Sequence, residues 1–323
     1  MPEIQPAAVI PDTILEHRPC PVCDASDGEV FARFAANTYP HEAFETASWD
    51  GRCGLEMRVV ACPCGLVRTD PAFREDQLSR VYPEDLVDEA KLGGNLDKIF
   101  DLRDRKFNAM ARHVRAYLQP KQTLVDIGSR YGVFPWIARE NFALDAHGIE
   151  LNAASVRIGR QRFDGLHHGS IASIPTLFEG LGVTQVDGFV LDDVLEHLTH
   201  PNRDLATLAD LQPSGGHLFL RQMDLGGLGH RLFGANWYYF QPAAHMYYFD
   251  EDSVRALLDR HGYDIIAIAR AAPLTNWFKT ALSRPGQALK ARRNRNRAGK
   301  KPSYLTQRKR AADDMFLVTA RKR

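Results

Sequence analysis

The 323-residue chain is 44% hydrophobic and 25% charged, a balance ordinary for soluble globular proteins and long enough for one large domain with an appendage or for two. No run approaches the ~18 apolar residues that cross a bilayer, and the opening MPEIQPAAVIPDTILEH lacks the basic start and apolar core of a secretory signal, so the expected location is cytoplasmic. The formal net charge of +1 hides an asymmetry: Ala271 to Ala312 holds twelve Lys or Arg and no acid, and +1 less 12 leaves −11 for the rest.

All five cysteines lie between Cys20 and Cys64, which rules out a catalytic thiol in the remainder. Residues 1–70 form a cysteine-rich module with strand-like runs such as EMRVVAC. CPVC at 20–23 and CPCG at 62–65 read as two metal-binding turns, with Cys20, Cys23, Cys62 and Cys64 as candidate ligands of a structural zinc ion. The second turn is one residue shorter than the usual knuckle, so Cys53 or His41 is an alternative ligand. A reducing cytoplasm disfavours disulfides, and free thiols are the remaining alternative.

Residues 71–118 read as a polar helical linker or cap. Within DKIFDLRDRKFNAMARHVRAYL, Ile99, Phe100, Phe107, Met110 and Val114 fall on one stripe. From 119 onward strand and helix signals alternate. TLVDI is a short buried strand, and GVFPWIARENF a helix in which Pro135 is tolerated only in the first turn. DAHGIE is a second strand, followed by a helix capped by Asn152. GLHHGS is a weak third strand, and VDGFVLDD a fourth that is apolar until Asp192 and Asp193. NRDLATLADL is a helix and PSGGHLFLRQ a turn and fifth strand. After an aromatic stretch at 225–250 comes a helix capped by Asp250 and ended by Gly262, then two closing strands, YDIIAIAR and MFLVTARKR. This alternation predicts an α/β domain over 119–323 in which helices cover a mostly parallel sheet and ligands sit at the strands' carboxyl ends. A basic insertion, 275–312, interrupts it.

The turn after the first strand decides the ligand class. A pyrophosphate loop needs G-x-G-x-x-G and a helix N-terminus facing phosphates. Here Gly128 and Gly132 stand four apart, Arg130 lies between them, and Asp126 brings a carboxylate that would repel phosphate. A carboxylate suits a ligand with an ammonium group, such as S-adenosylmethionine, and Gly128 permits close backbone approach. Glu150, 24 residues after Asp126, ends the second strand where an acid accepts hydrogen bonds from ribose hydroxyls. Helix capping is the plainer role for both acids.

These residues carry a resemblance. The stretch 123–270 resembles the class I S-adenosylmethionine-dependent methyltransferases: LVDIGSRYGVF their glycine loop, HGIELN their ribose-binding strand end, VDGFVLDDVLEHLTHP their fourth strand, and LQPSGGHLFL the turn before their fifth. NWYYFQPAAHMYYF is similar to the segment that closes over substrate in members with a P-x-x-H-x-x-x-F pattern. The resemblance implies a Rossmann-like seven-stranded sheet with its last strand antiparallel beside the sixth. Ser170 sits where many members carry an Asp that contacts adenine, and Arg130 where they carry a glycine. With its cysteine module, the chain resembles bacterial methyltransferases of sugar and polysaccharide pathways, in which such a module covers the substrate.

A methyl acceptor must lose a proton, and Asp193, His197 and His245 are the candidate bases, each with a structural alternative. Asp193, Glu196 and His197 also resemble the metal-binding turn of quinone-pathway O-methyltransferases. Trp237, Tyr238, Tyr239, Tyr247 and Tyr248 line an acceptor pocket or fill core. The leading expectation is a methyltransferase for a small-molecule acceptor, of sugar or lipid-linked type. A nucleic-acid methyltransferase or binding protein and an inactive cofactor-binding relative are the alternatives. The basic insertion reads either as peripheral contact with an anionic membrane surface or as a solvated loop.

Overall fold

The computed structural model describes residues 15–35, 56–77, 96–237, 239–242, 244–270 and 315–323. Cys53, His41, Tyr238 and the basic insertion lie outside the described residues.

Five short strands come first: β1 (Leu15–Glu16), β2 (Glu29–Ala35), β3 (Glu56–Ala61), β4 (Val67–Thr69) and β5 (Ala72–Phe73). Helices α1 (Leu96–Ile99) and α2 (Arg105–Arg115) follow. The periodic stretch expected as one helix breaks between them, because the Asp104 side chain accepts the backbone N–H of Phe107 at 2.9 Å and starts a new helix. The predicted stripe holds: Phe100, Met110 and Val114 are buried, and Ile99 and Phe107 pack against the same cluster.

The larger domain runs β6 (Thr123–Ile127), α3 (Val133–Phe142), β7 (Asp145–Glu150), α4 (Ala153–Gly159), β8 (Leu166–His168), α5 (Ile174–Leu181), β9 (Gly188–Asp192), α6 (Pro201–Asp210) and β10 (His217–Met223). It continues with α7 (Leu228–Phe233), β11 (Tyr247–Tyr248), α8 (Glu251–Arg260), β12 (Tyr263–Arg270) and β13 (Met315–Lys322). Seven strands form one sheet in the order β12-β13-β10-β9-β6-β7-β8. Strands β6 to β10 run parallel, while β13 pairs antiparallel with both β10 and β12. This is the Rossmann-like layout that the resemblance implies, with the last strand inserted beside the sixth.

Alternation along the strands divides the core. Val125, Ile127, Phe189, Leu191, Leu218 and Leu220 face one cluster, whereas Leu124, Val190 and Phe219 face the other with Met110, Val114 and Ile137. Pro135 falls in the first turn of α3, Asn152 caps α4 by accepting from Ser155 N–H, and Asp250 caps α8 by accepting from Ser253 N–H.

A second sheet has the order β11-β4-β3-β2, so the aromatic stretch lends its edge strand to the cysteine region. Cys20, Cys62, Leu66 and Phe73 share one apolar cluster with Leu195, Tyr247, Phe249 and Leu257. The two regions bury a common core.

Candidate active site

The carboxyl ends of β6, β7 and β9 converge on the turn at 128–132. Gly128, Arg130 and Gly132 all have left-handed backbone, at φ 71°, 54° and 77°. A side chain at Gly128 would put its Cβ 2.8 Å from Val194, so glycine is needed for space as well as for φ. Arg130 holds the left-handed conformation without that freedom, at a cost of about 1–2 kcal/mol. Its N–H donates to Glu150 Oε2 at 2.8 Å, and its exposed guanidinium lies 5.0 Å from the Tyr131 ring centroid. The side chain is thus exposed against Tyr131, and the contact with Glu150 is made by the Arg130 backbone alone.

Glu150 ends β7 half-buried, and its other oxygen, Oε1, accepts from Asn152 N–H at 2.7 Å. Asp126 is 5% exposed. Burial pushes its carboxyl well above the ordinary range; the Ser129 hydroxyl and Lys106 pull it down, and the Asp192 and Glu150 charges push it further up. Asp192, at the end of β9, accepts from Lys106 Nζ at 2.9 Å and from Arg221 Nε. Burial alone would raise its carboxyl, but Arg221 and Lys106 hold it below the ordinary value. Asp193 follows with φ 60°, and Arg221 also donates to its Oδ2 at 2.7 Å. Neither cation was foreseen: Lys106 sits on the polar side of a helix, and Arg221 is a lone basic residue near a strand end, which leaves no local signal. Ser170 is exposed at the carboxyl end of β8 and caps the 3-10 turn at Ile171–Ser173.

Just beyond β9, His197 Nδ1 donates to Ala244 O at 2.9 Å, and His245 Nδ1 donates to Tyr239 O at 2.7 Å. The rings meet edge to face with centroids 4.8 Å apart. Burial pushes both imidazoles down, His245 to about 3 with help from His197, so both are neutral. Glu196 is 2% exposed; burial and then the Asp193 charge push its carboxyl up, and its Oε2 has no hydrogen-bond partner.

A family model described as a methyltransferase domain matches residues 99–268, more than half of the chain. The chain belongs to this methyltransferase family. No curated protein matches it. Among solved structures, it is similar to phosphoethanolamine N-methyltransferase 2 of Haemonchus contortus in complex with S-adenosyl-L-methionine, at 17% identity over 79% of this chain and 62% of that one, TM-score 0.49. It is also similar to a SAM-dependent methyltransferase from Archaeoglobus fulgidus, at 14% identity over 70% and 98%, TM-score 0.46. A third similar chain is an S-adenosylmethionine-dependent methyltransferase from Mesorhizobium loti, at 15% identity over 67% and 100%, TM-score 0.45.

In this methyltransferase the aromatic residues are chiefly core: Trp237, Tyr247 and Tyr248 are each at most 3% exposed, and Tyr239 is partly buried. The cysteine turns do converge. Ligand atoms of Cys20, Cys23 and Cys64 lie within 4.8 Å of one another, and Cys20 Sγ is 3.6 Å from Cys64 Sγ. Cys62 is buried beside them; a hydrogen bond with Cys20 and, against burial, the Arg68 guanidinium push its thiol down. The Cys20 thiol is pushed up, first by that same hydrogen bond, and burial pushes Cys64 up to about 12. Clustered thiols resist ionising together, and a bound divalent cation reverses that resistance, so the donor set fits zinc.

Proposed function

We propose that this methyltransferase uses S-adenosylmethionine to methylate a small-molecule acceptor of sugar or glycolipid type. The observation that carries the cofactor assignment is the pair of acids on adjacent strands: buried Asp126 and half-buried Glu150 flank Gly128, an exposed glycine with no room for a side chain against Val194. Such a cradle repels phosphate and accepts an ammonium group and a diol. Asp126 would take the ammonium, Glu150 the ribose hydroxyls, Gly128 and Gly132 the backbone approach, and Ser170 the adenine edge. Asp192, screened by Arg221 and Lys106, completes the floor.

S-adenosylmethionine supplies an activated methyl group and a thioether leaving group. The protein's part is then orientation, exclusion of water and receipt of one proton. Asp193 accepts a hydrogen bond from Arg221, which occupies one of its oxygens. The neutral imidazoles of His197 and His245 are the other candidate acceptors, and burial lowers the proton affinity of both. The cysteine module supports a role in covering the acceptor: Thr69 N–H donates to Met246 O at 2.9 Å, and its hydroxyl donates to His245 O at 2.8 Å. The module thereby sets the position of His245. Its thiols would hold structural zinc, away from the chemistry. The sugar or glycolipid class rests on the resemblance of this module and its link to polysaccharide-pathway enzymes. A cytoplasmic site with peripheral membrane contact through 275–312 accords with such an acceptor. Calorimetry with S-adenosylmethionine, followed by methyl transfer across a panel of nucleotide-linked and lipid-linked sugars, tests the reading. Binding of NADH in place of S-adenosylmethionine would overturn it.

A further inference from the structure

Two largely buried histidines that the proposed chemistry does not use meet between β7 and β8. His147 lies on β7 upstream of Glu150, and His167 on β8, opposite Ile149 in the parallel register. Strand β8 is the edge of the large sheet, with β7 as its neighbour. The first strand ends in Glu150, and the second leads through Gly169 to the exposed Ser170. These two strands therefore carry the groups that the proposed cradle offers to ribose and adenine.

His147 Nδ1 and His167 Nε2 are 3.2 Å apart, one donating and the other accepting. The ring centroids are 5.4 Å apart, and the ring of Phe178, on α5, lies 5.7 Å from that of His147. His167 is 7% exposed and the His147 side chain 12%, so water does little to screen the pair.

Protons act on this pair in two stages. A neutral imidazole has one N–H and an imidazolium two. With one proton added, the imidazolium donates to its neutral partner and the bond survives. With two added, N–H faces N–H across 3.2 Å, and two poorly solvated cations repel. The surroundings set the order. Asp145 Oδ1, at the start of β7, is 3.4 Å from His147 Nε2, which favours the first proton on His147. His167 has cations around it instead. Arg160, which caps the end of α4, donates to Leu166 O at 2.7 Å. Arg139, on α3, donates to Ala146 O at 2.8 Å and to Asp164 Oδ1 at 2.7 Å. Burial, then the His147 charge, then Arg160 and Arg139 push the His167 imidazole down to about 4, and Asp164, 90% exposed, opposes them. Burial also pushes His147 down; Asp145 and Asp164 oppose it, and Arg139 adds to it.

We propose that His147 and His167 form an acid-sensitive latch between β7 and β8, which holds while the pair carries at most one added proton and opens with the second, freeing the edge strand and the turn that carries Ser170. The further step, that opening lowers cofactor affinity, rests on the cofactor reading above; the latch itself does not. The folded-state value of His167 lies below its ordinary 6.5, so its stability contribution is complete above about 6.5 and is lost as pH falls from there through about 4. For this one group the folding constant drops roughly thirtyfold between about pH 7.5 and about pH 5.

His167→Gln removes the titrating ring and keeps an amide that donates to, or accepts from, His147 Nδ1. In urea unfolding of the full chain, the acid-induced fall in the folding constant should be roughly thirtyfold smaller in this variant than in the unaltered chain. Hydrogen exchange, corrected for the intrinsic effect of pH, should show residues 164–173 losing protection in acid in the unaltered chain and keeping it in the variant, while β6 stays protected in both. His147→Asn, whose amide nitrogen stands near the lost Nδ1, should behave in the same way, and it carries the test where His167→Gln melts low at neutral pH. Equal acid sensitivity in the unaltered chain and both variants, or protection lost evenly across the sheet, would overturn the proposal. S-adenosylmethionine affinity should fall more steeply with acid in the unaltered chain than in His167→Gln, with Asp126 contributing equally to both. A segment that opens in acid, in a chain that binds no S-adenosylmethionine at either pH, would remove the proposed function and leave the latch standing.

Discussion

Replacing Glu150 tests the cofactor cradle most directly, because both oxygens of its carboxylate are already accounted for. Oε2 accepts from Arg130 N–H at 2.8 Å and Oε1 from Asn152 N–H at 2.7 Å. In Glu150→Ala these two N–H groups turn to water, since Arg130 is exposed and Asn152 half-exposed. The stability loss should therefore stay near the net value of ordinary hydrogen bonds, about 1 kcal/mol each. Bonds from ribose hydroxyls to a charged carboxylate contribute about 1.5–3 kcal/mol, so S-adenosylmethionine affinity should fall between about tenfold and 150-fold. Glu150→Gln should be no milder than alanine. Its amide group can accept at one oxygen only, so its NH₂ must face one of the two backbone donors. Calorimetric titration gives the affinities, and thermal melting without ligand gives the stability. Affinity within roughly threefold of the unaltered chain in both variants would refute the ribose assignment and leave Glu150 a helix-end acceptor.

Asp126 should make cofactor binding pH-dependent. Burial raises its carboxyl in the free protein, and an ammonium group beside it would favour the ionised form, so binding releases a proton. Affinity should then rise with pH between the lower pKa of the complex and the raised pKa of the free protein, and Asp126→Asn should flatten that rise; calorimetry in buffers of different ionisation enthalpy detects the proton. The cysteine cluster should carry about one zinc per chain, lost in Cys20→Ser plus Cys23→Ser with a lower melting temperature; elemental analysis showing zinc retained in that variant would move the ligands elsewhere. The basic insertion should sediment the chain with anionic but not neutral vesicles, and high salt or deletion of 275–312 should abolish it; equal pelleting of the deletion variant would dispose of membrane contact.

The elements that could be read in advance are those decided within a few residues. TLVDI is apolar up to Asp126 and becomes a buried strand, and Asn152 and Asp250 cap the helices that follow them. Helix α5 went unread, although Pro175 in its first turn and left-handed Gly182 at its end are the ordinary marks of a helix start and stop. The other gaps are long-range. Strand β11 is two residues long and exists because Val67 and Arg68 offer it an edge. Asp192 reads in sequence as an open acid at a strand end, yet Lys106 and Arg221 reach it from 86 and 29 residues away. Glu196, His197 and His245 likewise meet only once the chain has folded.

The same long-range contacts argue against treating the cysteine region as a detachable module. Its strand β4 pairs with β11, and Thr69 binds the backbone on both sides of the bond between His245 and Met246. Met246 N–H in turn donates to Glu196 O, in the turn that follows β9. A continuous path of hydrogen bonds thus runs from the cysteine-rich sheet, through the aromatic segment, to the end of the strand that carries Asp192. Removing the module would leave Tyr247, Tyr248 and Phe249, each at most 3% exposed, without the partners that bury them. It would also free His245 from its anchor. Metal held by the thiols would act on the active site through this path, by fixing where β4 lies and hence where His245 points.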